Sequence, residues 1–207
     1  MREIRRGPLK NNAALIIVDM QNDFCPGGAL AVAGGDGIVP VINRYIGIFR
    51  ERGYPIIASR DWHPLETRHF VKFGGIWPEH CVQRTSGAVF RAGLLLPPHT
   101  LVFSKGMDPE RDDYSALQAT NEEGKPMTEF LGEKGIRELY LCGLATDYCV
   151  RETALEGLRL AFSVTVLVDA VAGVDLLPGD SQRAMEELKI TGAHFSRVDE
   201  LLQSDLN

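Results

Sequence analysis

Long apolar runs without polar interruption recur along this chain. Residues 13–18 are wholly apolar and stop at Asp19, and 55–59 stop at Arg60 and Asp61. Similar stretches at 100–104, 138–142 and 163–168, with a short one at 193–195, bring the predicted strands to six. Strands that do not alternate are expected to be buried on both faces, as in a parallel sheet covered by helices. Between them the apolar spacing changes to three and four. Over 38–51 it lines up Ile38, Val41, Ile42, Tyr45, Ile48 and Phe49, and Gly53 follows. Helices are also predicted at 127–133, 147–160 and 178–188. Alternating strands and helices predict an α/β sandwich with right-handed crossovers.

Two stretches break this rhythm. Residues 61–98 are rich in Gly, Pro, His and Trp, and 107–125 form a second polar excursion. Loops this long inside a compact domain point to active-site loop regions. In open parallel sheets, ligands bind beyond the carboxyl ends of the strands. Asp19, Asp61, Lys105 and the turn before Cys149 all fall at such ends.

Composition narrows the function classes. The 207 residues suit a single domain over 1–207, and 44% hydrophobic content supports a sizeable core. A net charge of −6, with no basic cluster interleaved with aromatics, argues against nucleic acid as a partner. No run approaches the roughly 18 apolar residues of a membrane span. Arg2, Arg5 and Arg6 are not followed by the apolar segment of a signal peptide, so a cytoplasmic location is expected. The four cysteines include no CxxC pair, which disfavours both a disulfide scaffold and thiolate-held zinc. The glycine-rich turns at 27–28 and 34–37 match no nucleotide-binding loop.

Cys149 follows a strand (138–142), a turn (143–146) and a helix start at Asp147. With Thr146 as N-cap, it lies in the first helical turn, among unpaired N–H groups at the positive end of the dipole. That setting lowers a thiol pKa and supplies oxyanion donors. A buried cysteine acting as a small hydrophobe is the competing account. Asp19 and Lys105 serve a nucleophile as proton acceptor and stabilising cation, or are simply solvated charges. His194 is the nearest imidazole alternative. Asp61 and His63 at i and i+2, with His80 beyond, suit Zn²⁺, Fe²⁺ or Mn²⁺ in mixed N/O coordination. Two surface histidines would look the same, and His69 and His99 lack an Asp-x-His companion. Phe24, Trp77 and Tyr114 either wall a pocket for a flat ring or pack in the core.

Taken together, the segments 18–24, 59–64, 77–81, 103–106 and 143–150 resemble the nicotinamidase/pyrazinamidase branch of the isochorismatase-like cysteine hydrolases. That resemblance implies a three-layer sandwich around a six-stranded parallel sheet. It implies a catalytic triad of Asp19, Lys105 and Cys149, and an oxyanion hole from the N–H groups of Ala145 and Cys149. A cis bond between Leu144 and Ala145 comes with it. Asp61, His63 and His80 would hold one divalent metal ion, zinc foremost, with iron or manganese as alternatives. Phe24, Trp77 and Tyr114 would pack the substrate ring. The implied reaction is hydrolysis of nicotinamide to nicotinate and ammonia through a thioester, with pyrazinamide as a further substrate. A ureido or N-carbamoyl amidohydrolase would share the triad without needing the metal set. A silent ligand-binding protein would have no use for the triad.

Overall fold

Six parallel strands make one sheet in the computed structural model, which describes residues 12–203. Arg2, Arg5 and Arg6 lie outside the described residues. The strands are β1 (Ala13–Val18), β2 (Ile56–Asp61), β3 (Leu101–Lys105), β4 (Glu138–Leu144), β5 (Ser163–Ala172) and β6 (His194–Ser196). They are ordered β3-β2-β1-β4-β5-β6, with Ile17 level with Ala58 on one side and Cys142 on the other.

Every residue of β1 is buried, because its alternate side chains serve two separate cores. Ala13, Leu15 and Ile17 face a layer containing Ile42, Tyr45 and Phe49 of α1 (Val39–Glu51) and Val198 and Leu201 of α5 (Val198–Gln203). Ala14, Ile16 and Val18 face Met127 and Leu131 of α2 (Met127–Glu133) and Ala154 of α3 (Arg151–Arg159). Leu188 of α4 (Asp180–Thr191) joins that second layer. A strand covered on both faces has no solvent side to carry polar residues, hence its uninterrupted apolar run.

The structure departs from the predicted elements in three places. α5 was not predicted, and β5 runs on to Ala172. The helix predicted over 147–160 is divided: a wide π-helical turn, Thr146–Val150, precedes α3. In that turn the Val150 N–H donates to the Ala145 carbonyl at 3.0 Å. Ala145, not Thr146, is the N-cap residue, and no side chain caps the turn. Such turns recur at functional sites, and this one carries Cys149.

Gly143 ends the regular part of β4 at φ +111°, just before the cis peptide between Leu144 and Ala145. A Cβ there would lie 2.0 Å from the Val18 carbonyl oxygen on the neighbouring strand. Neither backbone can give way, so Gly143→Ala is expected to destabilise the fold by about 3–5 kcal/mol, combining overpacking with left-handed strain. Chemical denaturation midpoints check this; a loss under about 1 kcal/mol would mean that the two strands can separate here.

Candidate active site

Four adjacent strands deliver the polar residues to one end of the sheet. Asp19 follows β1, Asp61 ends β2, Lys105 ends β3, and Cys149 follows β4. The chain leaves β1 through Asp19 at φ +48°, a kink that aspartate tolerates better than most residues. The kink removes backbone pairing that the side chain of Gln21 replaces. Its amide accepts from the Asp61 N–H at 2.7 Å and donates to the Asp61 carbonyl at 2.8 Å.

Lys105 is buried and reaches three partners. Its ammonium lies 2.9 Å from Asp19 Oδ2 and 3.5 Å from Cys149 Sγ, and it bonds Asp61 Oδ1. Strands sit about 4.8 Å apart, so only a long side chain can span from β3 past β2 to this point. Ser59 donates to Asp19 Oδ1 at 2.7 Å, fixing the carboxylate from its other side. One oxygen from each of Asp19 and Asp61 lies with the sulfur inside a 4.8 Å group. The ammonium among these atoms makes a metal ion there unfavourable and marks the group as a proton-handling cluster.

Burial pushes the Asp19 carboxyl above its ordinary pKa; Lys105 works against this and Asp61 with it. Burial likewise pushes the Cys149 thiol well above the usual range, opposed by Lys105 and reinforced by the two carboxylates. The lowered thiol pKa expected from the helix terminus is not what the buried site gives: desolvation outweighs the attraction of Lys105. For Lys105, burial favours the neutral amine, but Asp19, Asp61 and Cys149 together hold its pKa well above normal. At Asp61, burial is outweighed by Lys105 and the imidazoles of His63 and His80, which keep the carboxyl well below its normal range.

Asp61 also links this cluster to a second one. Its Oδ2 lies 3.5 Å from His63 Nε2 and 3.8 Å from His80 Nε2. His69 completes a buried group in which one ring nitrogen of each histidine lies within 4.8 Å of the others. Each Nδ1 has its own acceptor: the Gly106 carbonyl for His63 at 3.0 Å, the Pro78 carbonyl for His80 at 2.7 Å, and Asp112 for His69. This is how metal-binding imidazoles are oriented, with Nε2 left for the ion. His63 Nε2 is buried without a hydrogen-bond partner. Gly106, at φ +67°, permits the contact, because a Cβ would stand 2.4 Å from the His63 ring. Buried nitrogens converging beside a carboxylate fit a divalent ion in mixed N/O coordination. His99 is exposed and outside this group. His194 lies on the edge strand β6, level with Thr165 of β5, short of the carboxyl ends where the cluster gathers.

Both clusters face one partly open cleft. Phe24, Trp77, Tyr114, Ala145 and Cys149 line it, as do Asp61, His69 and His80. Leu144 and Tyr148 of the segment 143–150 line it too, as do Leu30, Asp113 and Val174, which nothing in the sequence pattern singles out. Trp77 Nε1 donates to the Tyr114 hydroxyl at 2.9 Å, and Tyr148 meets the Trp77 ring edge-on at 5.0 Å. Three aromatic rings thus frame a slot suited to a planar heterocycle.

A cysteine, lysine and aspartate converging at the carboxyl end of a parallel sheet define a cysteine hydrolase, and the chain belongs to the isochorismatase-domain family, matched over residues 13–200. Within that family it is similar to nicotinamidases. It is 41% identical to the nicotinamidase of Escherichia coli (strain K12) over 196 residues, 87% of this chain and 92% of that protein. The pyrazinamidase of Pyrococcus horikoshii, crystallised with zinc, is 45% identical and superposes with a TM-score of 0.82 over 90% of this chain and 99% of its own. PnC1 from L. infantum, in complex with nicotinate, is 35% identical with a TM-score of 0.83, covering 94% and 96% of the two chains.

Proposed function

We propose that the protein is a nicotinamidase that hydrolyses nicotinamide to nicotinate and ammonia through a thioester on Cys149, and deamidates pyrazinamide by the same route. The observation that carries this reading is that a thiol–carboxylate–ammonium cluster and a histidine cluster, bridged by Asp61, open on one aromatic slot. The slot takes the pyridine ring and presents the carboxamide to the sulfur.

In acylation, Asp19 takes the thiol proton as sulfur attacks the carboxamide carbon. Burial raises the proton affinity of both groups, so the proton moves between sites perturbed in the same direction. The Lys105 ammonium offsets the negative charge wherever it resides. The oxyanion of the tetrahedral intermediate meets the N–H groups of Ala145 and Cys149, which line the cleft. Asp19 returns the proton to the departing nitrogen and ammonia leaves. Asp19 then deprotonates the water that cleaves the thioester, nicotinate departs, and the thiol regains its proton.

Asp61, His63 and His80 would hold the divalent ion, read as zinc, with His69 beside them, and such an ion would supply Lewis-acid character toward the ring nitrogen of the substrate. Protein stripped by a chelator is expected to stay folded while kcat/KM for nicotinamide falls by at least about tenfold, with zinc restoring it. Elemental analysis checks loading at one ion per chain. Full turnover by metal-free protein would remove the ion from the reaction.

The four free, buried cysteines suit a reducing cytoplasm, where the reading places the protein in nicotinamide salvage. Among the described residues no helix is long and apolar enough to cross a membrane. Ammonia release from nicotinamide, compared with a ureido acid, tests the whole reading. Turnover of the ureido acid alone would replace it with a ureido amidohydrolase.

A further inference from the structure

Thr153 is buried on α3, one turn beyond the nucleophile, and its hydroxyl makes two hydrogen bonds. It donates to the Cys149 carbonyl at 2.6 Å and accepts from the Ala116 N–H at 2.8 Å. The first is the local back-bond that threonines often make in helices. The second reaches 37 residues away, to the long excursion that carries Tyr114. There Ser115 caps the 3-10 turn Ala116–Gln118, accepting from Leu117 N at 3.1 Å. The preceding residue, Tyr114, is the one whose hydroxyl holds Trp77, and Trp77 packs on Tyr148, the chain neighbour of Cys149. The contacts therefore close a circuit through Cys149, Thr153, Ala116, Tyr114, Trp77 and Tyr148.

We propose that Thr153 is a positioning residue that fixes the aromatic slot relative to the nucleophile, and so governs how tightly the substrate ring is held. The identity of that ring rests on the nicotinamidase reading; the circuit of contacts does not. Ala116 is fully buried, so its N–H has no water to turn to. Without the threonine oxygen the donor is orphaned, and the segment has to shift to satisfy it. Tyr114 would move with that shift. The groups that set the state of the thiol, Asp19, Ser59 and Lys105, stand on other strands and keep their places.

Thr153→Val removes the hydroxyl at constant shape, and Thr153→Ser retains it. For Thr153→Val, KM for nicotinamide is expected to rise about tenfold while kcat falls less than about threefold. The rate at which iodoacetamide alkylates Cys149 is expected to stay at the wild-type value, but protection by nicotinamide should weaken in step with KM. Thr153→Ser should restore both. Thr153→Ala removes the same hydroxyl with less bulk, and carries the test if Thr153→Val does not fold. Wild-type turnover is measured first: its absence sinks the nicotinamidase reading, while the protection constants still report ring binding. An unchanged KM and protection constant in the folded variants that lack the hydroxyl would overturn the role of Thr153.

Discussion

Replacing Cys149 by alanine is expected to leave a folded protein whose nicotinamide turnover is reduced by more than about a thousandfold. The side chain is small and buried beside Val150 in the second core, so alanine leaves the surrounding packing largely intact. What disappears is the atom that bonds to the carboxamide carbon, and neither Asp19 nor Lys105 can take its place. Oxyanion donors and the aromatic slot remain, which sets the floor to which activity falls. Rapid-quench mass spectrometry of the wild type should capture a nicotinoyl adduct on the peptide containing Cys149. Turnover by the alanine variant within about tenfold of wild type would exclude a covalent route, because no other cysteine lines the cleft.

Asp19→Asn and Lys105→Met are expected to shift the thiol in opposite directions. Burial is the main reason that the Cys149 thiol titrates high, and Asp19 adds to it while Lys105 opposes it. Removing the Asp19 charge should lower the apparent thiol pKa, so alkylation at neutral pH becomes faster. Turnover should nonetheless fall by about two to four orders of magnitude, because the group that returns a proton to the leaving amine is gone. Removing the Lys105 charge should raise the apparent thiol pKa, slowing both alkylation and turnover. The measurement is the pH profile of iodoacetamide alkylation with nicotinamide turnover in parallel, the pKa values being reported for the coupled set. Equal shifts of the same sign in both variants would dismantle the proposed division of labour.

Much of this was legible in the sequence. The strands announced themselves because β1 and β4 are buried on both faces and carry no polar alternation. Their ends located Asp19, Lys105 and Cys149, since a parallel sheet gathers its carboxyl ends on one side. α5 escaped notice because six residues with Val198 and Leu201 as core contacts are too short to show a helical period. The π-helical turn is not legible because backbone bonds from Tyr148 and Val150 to the Ala145 carbonyl shape it, and no side chain caps it. His69 lacks a neighbouring ligand in sequence and is held by Asp112, 43 residues away, so only the folded loop reveals it. The raised thiol pKa is not legible for a related reason: a helix terminus can be read from residue order, whereas the depth at which it is buried cannot.

Asp19 and Lys105 have side chains fully closed to solvent, unlike the surface pair Arg44–Asp199, at 52% and 75% exposure. Mobile ions screen the surface pair but cannot enter between the buried one. On the proposed route the proton released by Cys149 lodges on Asp19 and departs within ammonia, a neutral molecule, so acylation would carry no net charge through the mouth of the cleft. Ionic strength outside the protein therefore has little purchase on the bond-breaking steps, and the enzyme carries its own constant medium with it.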